Sequence, residues 1–138
     1  MTTDGSLQGT RVLIAHASES ARDAMRGVLE PVGAIVTDAA AHDEVLAAAR
    51  EQGADVLLLD GALECAIEED KGDPDLFRIA VVLVGDPPDV ETTVAALEHG
   101  AHDVLRGDAP PAEVVARVRA ARRARAARRP RLRGRGGR

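Results

Sequence analysis

The sequence predicts one parallel α/β domain, a five-stranded sheet covered by helices on both faces. Three observations carry that prediction. Unbroken apolar runs at Arg11–Ala15 (R-V-L-I-A), Val56–Leu59 (V-L-L-L) and Ile79–Val84 (I-A-V-V-L-V) read as strands buried on both faces. Segments with apolar residues at helical spacing lie between them. The connections are too short for anything but neighbours, and right-handed strand–helix–strand crossovers then give a parallel sheet.

Taken in order, Met1–Gly9 is small and polar and reads as a disordered leader. The first strand, Arg11–Ala15, ends at His16-Ala17. Ser18 or Ser20 caps a helix through Leu29, with Ala21, Met25, Val28 and Leu29 inward. Pro31 and Gly33 stop it. A short second strand at Ala34–Val36 exits at Thr37-Asp38. A second helix spans Ala41–Gln52, with Val45, Leu46 and Ala49 inward and Gly53 as a left-handed stop.

The third strand runs from Val56 into Asp60, between turn signals at Gly53 and Gly61. Glu64–Asp70 follows as a short acidic helix, then the fourth strand at Ile79–Val84. Pro87-Pro88-Asp89 opens a helix through Glu98, with Val90, Val94 and Leu97 inward. Val104-Leu105 is the fifth strand. Pro110 and Pro111 open a last helix with an apolar stripe of Val114, Val115, Val118 and Ala121. The expected division is a leader at 1–9, a domain at 10–122 and an Arg-rich, mostly disordered tail at 123–138.

Composition excludes several classes of function. Phe77 is the only aromatic residue, so no platform exists for stacking bases. Cys65 is the only cysteine, which forbids an intramolecular disulfide and argues against a thiolate zinc site. Glu64, Glu68 and Glu69 beside it argue for an inert thiol. No signal-peptide pattern or membrane-spanning run is present, so a cytoplasmic location is expected. The net charge of −5 hides an asymmetry: eleven arginines and no acid follow from Arg117 onward, while all 23 acids lie at or before Glu113. Such a dipolar chain hints at an interaction tail.

Asp60 is the candidate site residue, because ligands of open α/β sheets gather at the carboxyl ends of the strands. The acids of Glu68–Asp75 are not spaced like a calcium loop and read as a solvated loop. His42, His99 and His102 are dispersed without metal spacing.

Four segments together resemble the receiver domain of bacterial two-component response regulators. They are R-V-L-I-A at the first strand, D-V-L-L-L-D at the third, I-A-V-V-L-V at the fourth and A-A-L-E-H-G-A-H-D-V-L leading to the fifth. P-P-A-E-V-V-A-R-V-R opens the last helix in a similar way. The resemblance spans Arg11 to Arg122 and implies a flavodoxin-like three-layer sandwich of strand order 2-1-3-4-5 with five helices. It implies that Asp60 is the phosphoacceptor position. Mg²⁺ would then be held by an acidic pair after the first strand, by Asp60 and by the carbonyl of Ala62, offsetting the charge of the transferred phosphoryl group.

The chain departs from that pattern at every other functional side chain. His16-Ala17 stands where the acidic pair belongs. Val84, or Gly85 if the register slips by one, replaces the hydroxyl residue. Gly107 replaces the lysine, and Asp108 the proline after it. Arg106 adjoins the missing lysine, but alternation points it to the other face. Imidazole is a poor Mg²⁺ ligand.

The expectation is therefore a degenerate receiver, or pseudo-receiver. It would be a non-enzymatic signalling module that needs no cofactor and acts through protein partners, among them a histidine kinase or an output domain. One alternative is a conventional receiver, phosphorylated on Asp60 by a histidine kinase with Mg²⁺. Another is a polyanion-binding protein (nucleic acid or anionic lipid) acting through Arg122, Arg123, Arg125, Arg128, Arg129 and Arg131; the same arginines also read as a linker. A cobalamin-binding domain shares the architecture, but its aspartate–histidine–glycine loop is absent after the first strand.

For Asp60 the competing reading is a strand-end carboxylate bonded to its own loop or to His16. For His16 the readings are a pH-sensitive partner of Asp60 and a partly solvated loop residue. By analogy with the family, the face of the fourth helix, fifth strand and fifth helix, with Glu91, Glu98, Arg117 and Arg119, is a surface for a partner or a homodimer.

Overall fold

A computed structural model describes residues 6–60, 79–85, 94, 97–98 and 101–127. Five parallel strands form one sheet: β1 (Arg11–Ala15), β2 (Ile35–Ala39), β3 (Val56–Asp60), β4 (Ala80–Gly85) and β5 (Asp103–Arg106). Their order is β2-β1-β3-β4-β5. The chain winds from β1 to one side and then returns past it to β3. The carboxyl ends of β1 and β3 therefore flank the crevice where such sheets place ligands.

Alternation along the strands divides the core in two. Val12, Ile14, Leu58, Val82 and Val84 face one side, with Leu29, Val114 and Val118 from two helices. Leu13, Leu57, Leu59 and Val81 face the other, with Val45 and Ala49. Burial on both faces explains why β3 and β4 read as continuous apolar runs.

Helix α1 (Glu19–Leu29) starts where the Ser18 hydroxyl accepts the Ala21 N–H at 3.2 Å. It ends in a 3₁₀ turn at Glu30–Val32, closed by Gly33 at φ 103°. Helix α2 (His42–Gln52) has no side chain capping from Ala41, but Glu44 reaches back to the Ala40 N–H at 2.8 Å. Helix α3 (Pro111–Ala127) buries Val114, Val118 and Ala121. The helices expected at 64–70 and 87–98 fall outside the described residues, except that Val94, Leu97 and Glu98 are helical.

Five expectations need correction. First, the leader is not wholly disordered. Ser6–Gly9 form a turn, and Leu7 is completely buried. Its N–H donates to Val32 O at 2.9 Å, and that of Gly9 to Gly33 O at 3.1 Å. Second, β2 runs to Ala39 rather than stopping at Val36. As an edge strand it exposes Ile35 and carries Asp38 for arginines of α1. Third, Val94 and Leu97 are exposed, at 45% and 44%, not inward. Fourth, Gly53 has positive φ (73°) but extended ψ (157°), so it is not a left-handed helical stop. Fifth, α3 continues to Ala127, because alanine and arginine are strong helix formers and Arg125 pairs with Asp55 at 3.4 Å.

Candidate functional site

Strand register assembles the positions singled out in the sequence along one edge of the sheet. Ala15 pairs with Leu59, which places His16 beside Asp60. Asp60 pairs with Val84, and Val84 with Leu105. Val84, not Gly85, is thus the β4 neighbour of Asp60. Gly107 follows β5, its N–H donating to Gly85 O at 2.7 Å. His16, Asp60, Val84 and Gly107 so mark the carboxyl ends of four adjacent strands.

Asp60 lies against His16. The imidazole Nδ1 lies 3.7 Å from the carboxylate oxygen, with both side chains about one-fifth exposed (22% and 18%). At that distance it is not a hydrogen bond. Nδ1 instead accepts the Ser18 N–H at 3.0 Å, so the proton of the neutral ring sits on Nε2. The His16 N–H donates to Ala39 O at 3.0 Å, fixing the residue between β1 and β2.

Arg22, which the sequence did not single out, organises this corner. Its guanidinium donates to His16 O at 2.7 Å and to Ala17 O at 3.3 Å. Its Nε lies 3.6 Å from Asp38, and its side chain is only 15% exposed. Asp38 also takes Arg26 at 3.1 Å, and Arg26 bonds Glu30 at 3.0 Å. Donating hydrogen bonds to Asp38 and then to Glu30 raises the Arg26 pKa above its ordinary value. The visible signal was two arginines, at 22 and 26, one helical turn apart beside an inward apolar stripe, with an acid on the next strand.

These contacts decide how the site would treat a divalent cation. Mg²⁺ requires a near-octahedral set of hard oxygens. His16 offers a nitrogen already engaged by Ser18, and Ala17 offers no side-chain ligand. The carbonyls of both residues are turned to a guanidinium. Asp38 is held by two arginines. Among the described residues, no three His, Cys, Asp or Glu side chains converge to hold a metal ion. The donors among the described residues do not make a Mg²⁺ set.

The remaining positions offer no phosphate ligand either. Val84 is buried in the apolar cluster beneath Asp60 and has no hydroxyl. Gly107 has no side chain, although a Cβ there would meet only ordinary contacts, at 3.7 Å from Gly85. Arg106 points outward, 61% exposed, 3.5 Å from Asp108. Ala62, Cys65, the acids of 68–75, His99 and Arg128, Arg129 and Arg131 lie outside the described residues. His102 is tied to β4: its Nδ1 accepts the Val81 N–H at 3.0 Å and its own N–H donates to Val81 O at 2.7 Å.

The same architecture occurs in response regulator receiver domains. A CheY-like receiver domain protein from Methanospirillum hungatei superposes with a TM-score of 0.76 at 21% identity, covering 87% of this chain and 98% of that one. The BeF3-activated receiver domain of RstA from Klebsiella pneumoniae gives 0.75 at 19% identity, over 83% and 99%. The chain has the receiver fold. NtrX from Brucella abortus gives 0.79 at 22% identity over 88% of this chain, which spans only 28% of that protein. No family model matches the sequence, and no curated protein does. In this fold Asp60 ends the central strand, with His16 directly after β1, Val84 beside it in β4 and Gly107 after β5. No helix among the described residues is long and apolar enough to cross a membrane.

Proposed function

We propose that this chain is a pseudo-receiver. It acts as a signalling module through protein–protein contact that does not depend on phosphorylation of Asp60. The observation that carries the reading is the Arg22 latch. The loop after β1, where an acidic pair would have to hold a cation, carries His16 and Ala17 and turns both of their carbonyls to a guanidinium. Among the described residues, a dianionic phosphoryl group on Asp60 would meet neither a set of ligands for a divalent cation nor a lysine to offset its charge. Without a hydroxyl at Val84, it would have no contact by which to pull β4 into a second conformation.

The partner surface in this reading includes the exposed Val94 and Leu97, both helical and three residues apart in sequence. Arg117 contributes little there. It is held by Asp103 at 3.0 Å and Glu113 at 3.2 Å, which together raise its pKa. The partner is a protein with an apolar patch, either a kinase-like or output domain or a second copy of this chain.

The test is incubation with acetyl phosphate and Mg²⁺, followed by intact mass. The expected result is an unmodified chain. Stoichiometric phosphorylation, lost in Asp60→Asn, would restore the conventional-receiver reading.

A further inference from the structure

We infer that the face of α3 carrying Arg119, Arg122 and Arg123 docks onto the phosphodiester backbone of a nucleic acid duplex. The arginines of this helix fall into two groups. Arg117 is spent on Asp103 and Glu113, and Arg125 on Asp55, which also accepts the Arg11 N–H at 2.9 Å. These two fix the helix to the sheet. Arg119, Arg122 and Arg123 do not take part: among the described residues, no carboxylate pairs with them. Arg122 and Arg123 are exposed and Arg119 is half-buried.

Their spacing of three and four residues puts all three on one side of the helix. Like charges so placed repel by a few tenths of a kcal/mol each. This chain has 23 acids, none of which is set against these three among the described residues. The face is therefore a concentrated cation field on an otherwise acidic body. Six further arginines and no acid follow at 128–138, which extends the same sign of charge. Asp55 precedes β3 and Asp60 ends it, so the Arg125–Asp55 contact turns the end of α3 toward the pole opposite the Asp60 site.

A nucleic acid fits this face better than a membrane. An interfacial helix needs large apolar residues to insert. Here Val114, Val118 and Ala121 are already buried against the sheet, and the exposed side adds only Ala116, Ala120 and Ala124. The cations are all arginine, whose planar fork meets phosphate oxygens in pairs. With no aromatic residue on the helix, recognition runs through the backbone, independent of sequence.

The experiment is fluorescence anisotropy of a labelled mixed-sequence DNA duplex with the full chain, titrated with KCl. Wild type is compared with the triple variant Arg119→Ala, Arg122→Ala, Arg123→Ala. No described carboxylate pairs with the three side chains, none is fully buried and alanine favours helix, so circular dichroism is expected to be unchanged. Wild type binds at physiological salt, and the triple variant loses about 2.7 from the slope of log K against log salt, 0.9 per lost phosphate contact. Equal affinity and slope in the two proteins would overturn the assignment and move all binding to residues 128–138. Absence of wild-type binding at physiological salt would overturn it too. So would binding to phosphatidylserine vesicles with none to the duplex.

Discussion

Leu7→Ala is expected to destabilise the domain as a core substitution would. Leu7 is fully buried and joins the apolar cluster of Leu29, Val32 and Ala34 beneath α1 and α3. Truncating a buried leucine removes its transfer energy and leaves a cavity, together about 3 kcal/mol. The turn cannot easily collapse onto that cavity. It is pinned by Leu7 N–H to Val32 O and Thr10 N–H to Leu7 O, both 2.9 Å. With a urea slope of about 1.5 kcal/mol per molar, the midpoint falls by about 2 M. The assay is equilibrium urea unfolding followed by circular dichroism, with exposed Gln8→Ala as a control that stays within about 0.5 kcal/mol of wild type. A shift below about 0.5 M in Leu7→Ala would mean that the residue is not packed and that the leader is dispensable.

Gly33→Ala is expected to cost about 2 kcal/mol in the same assay, because φ is 103° and a Cβ would sit 2.7 Å from the Gln8 backbone. Asp55→Ala removes the acceptor of Arg11 and Arg125 and should lower stability by about 1–2 kcal/mol, less at high salt, with hydrogen exchange accelerating first in the last turn of α3. Val94→Glu with Leu97→Glu should leave stability within about 0.5 kcal/mol, since both are exposed, while abolishing any self-association seen by sedimentation. Rebuilding the site with His16→Asp, Ala17→Asp, Val84→Thr and Gly107→Lys is expected to create phosphorylation of Asp60 from acetyl phosphate. An adduct absent from that variant would mean that more than these four side chains separates the chain from a working receiver.

The fold was legible because buried parallel strands leave unbroken apolar runs that little else produces. R-V-L-I-A, V-L-L-L-D and I-A-V-V-L-V each lie within one residue of an observed strand. The second strand was harder. Its outer half is Thr37-Asp38, polar because the edge faces Arg22 and Arg26 rather than apolar neighbours. Leu7 was missed because one apolar residue in a polar stretch has no period; only the tertiary fit reveals its pocket. Val94 and Leu97 show the opposite error: helical spacing identifies a stripe but not whether anything covers it.

At the site, sequence located the strand-end positions: Asp60 closes β3, Val84 is the penultimate residue of β4, and His16 and Gly107 directly follow β1 and β5. It did not reveal Arg22. The arginine pair at 22 and 26 marks only its ion pair with Asp38; its contacts to backbone carbonyls six and five residues earlier have no pattern of residue types to mark them.

The most direct test of the central claim removes phosphodonor chemistry altogether. Amide ¹H–¹⁵N spectra are recorded as Mg²⁺ and then beryllofluoride, a phosphoryl mimic, are added. A working receiver would bind both at the third-strand aspartate. The pseudo-receiver account predicts unshifted amides at Asp60, Val84 and Gly107; saturable shifts at those three residues would contradict it.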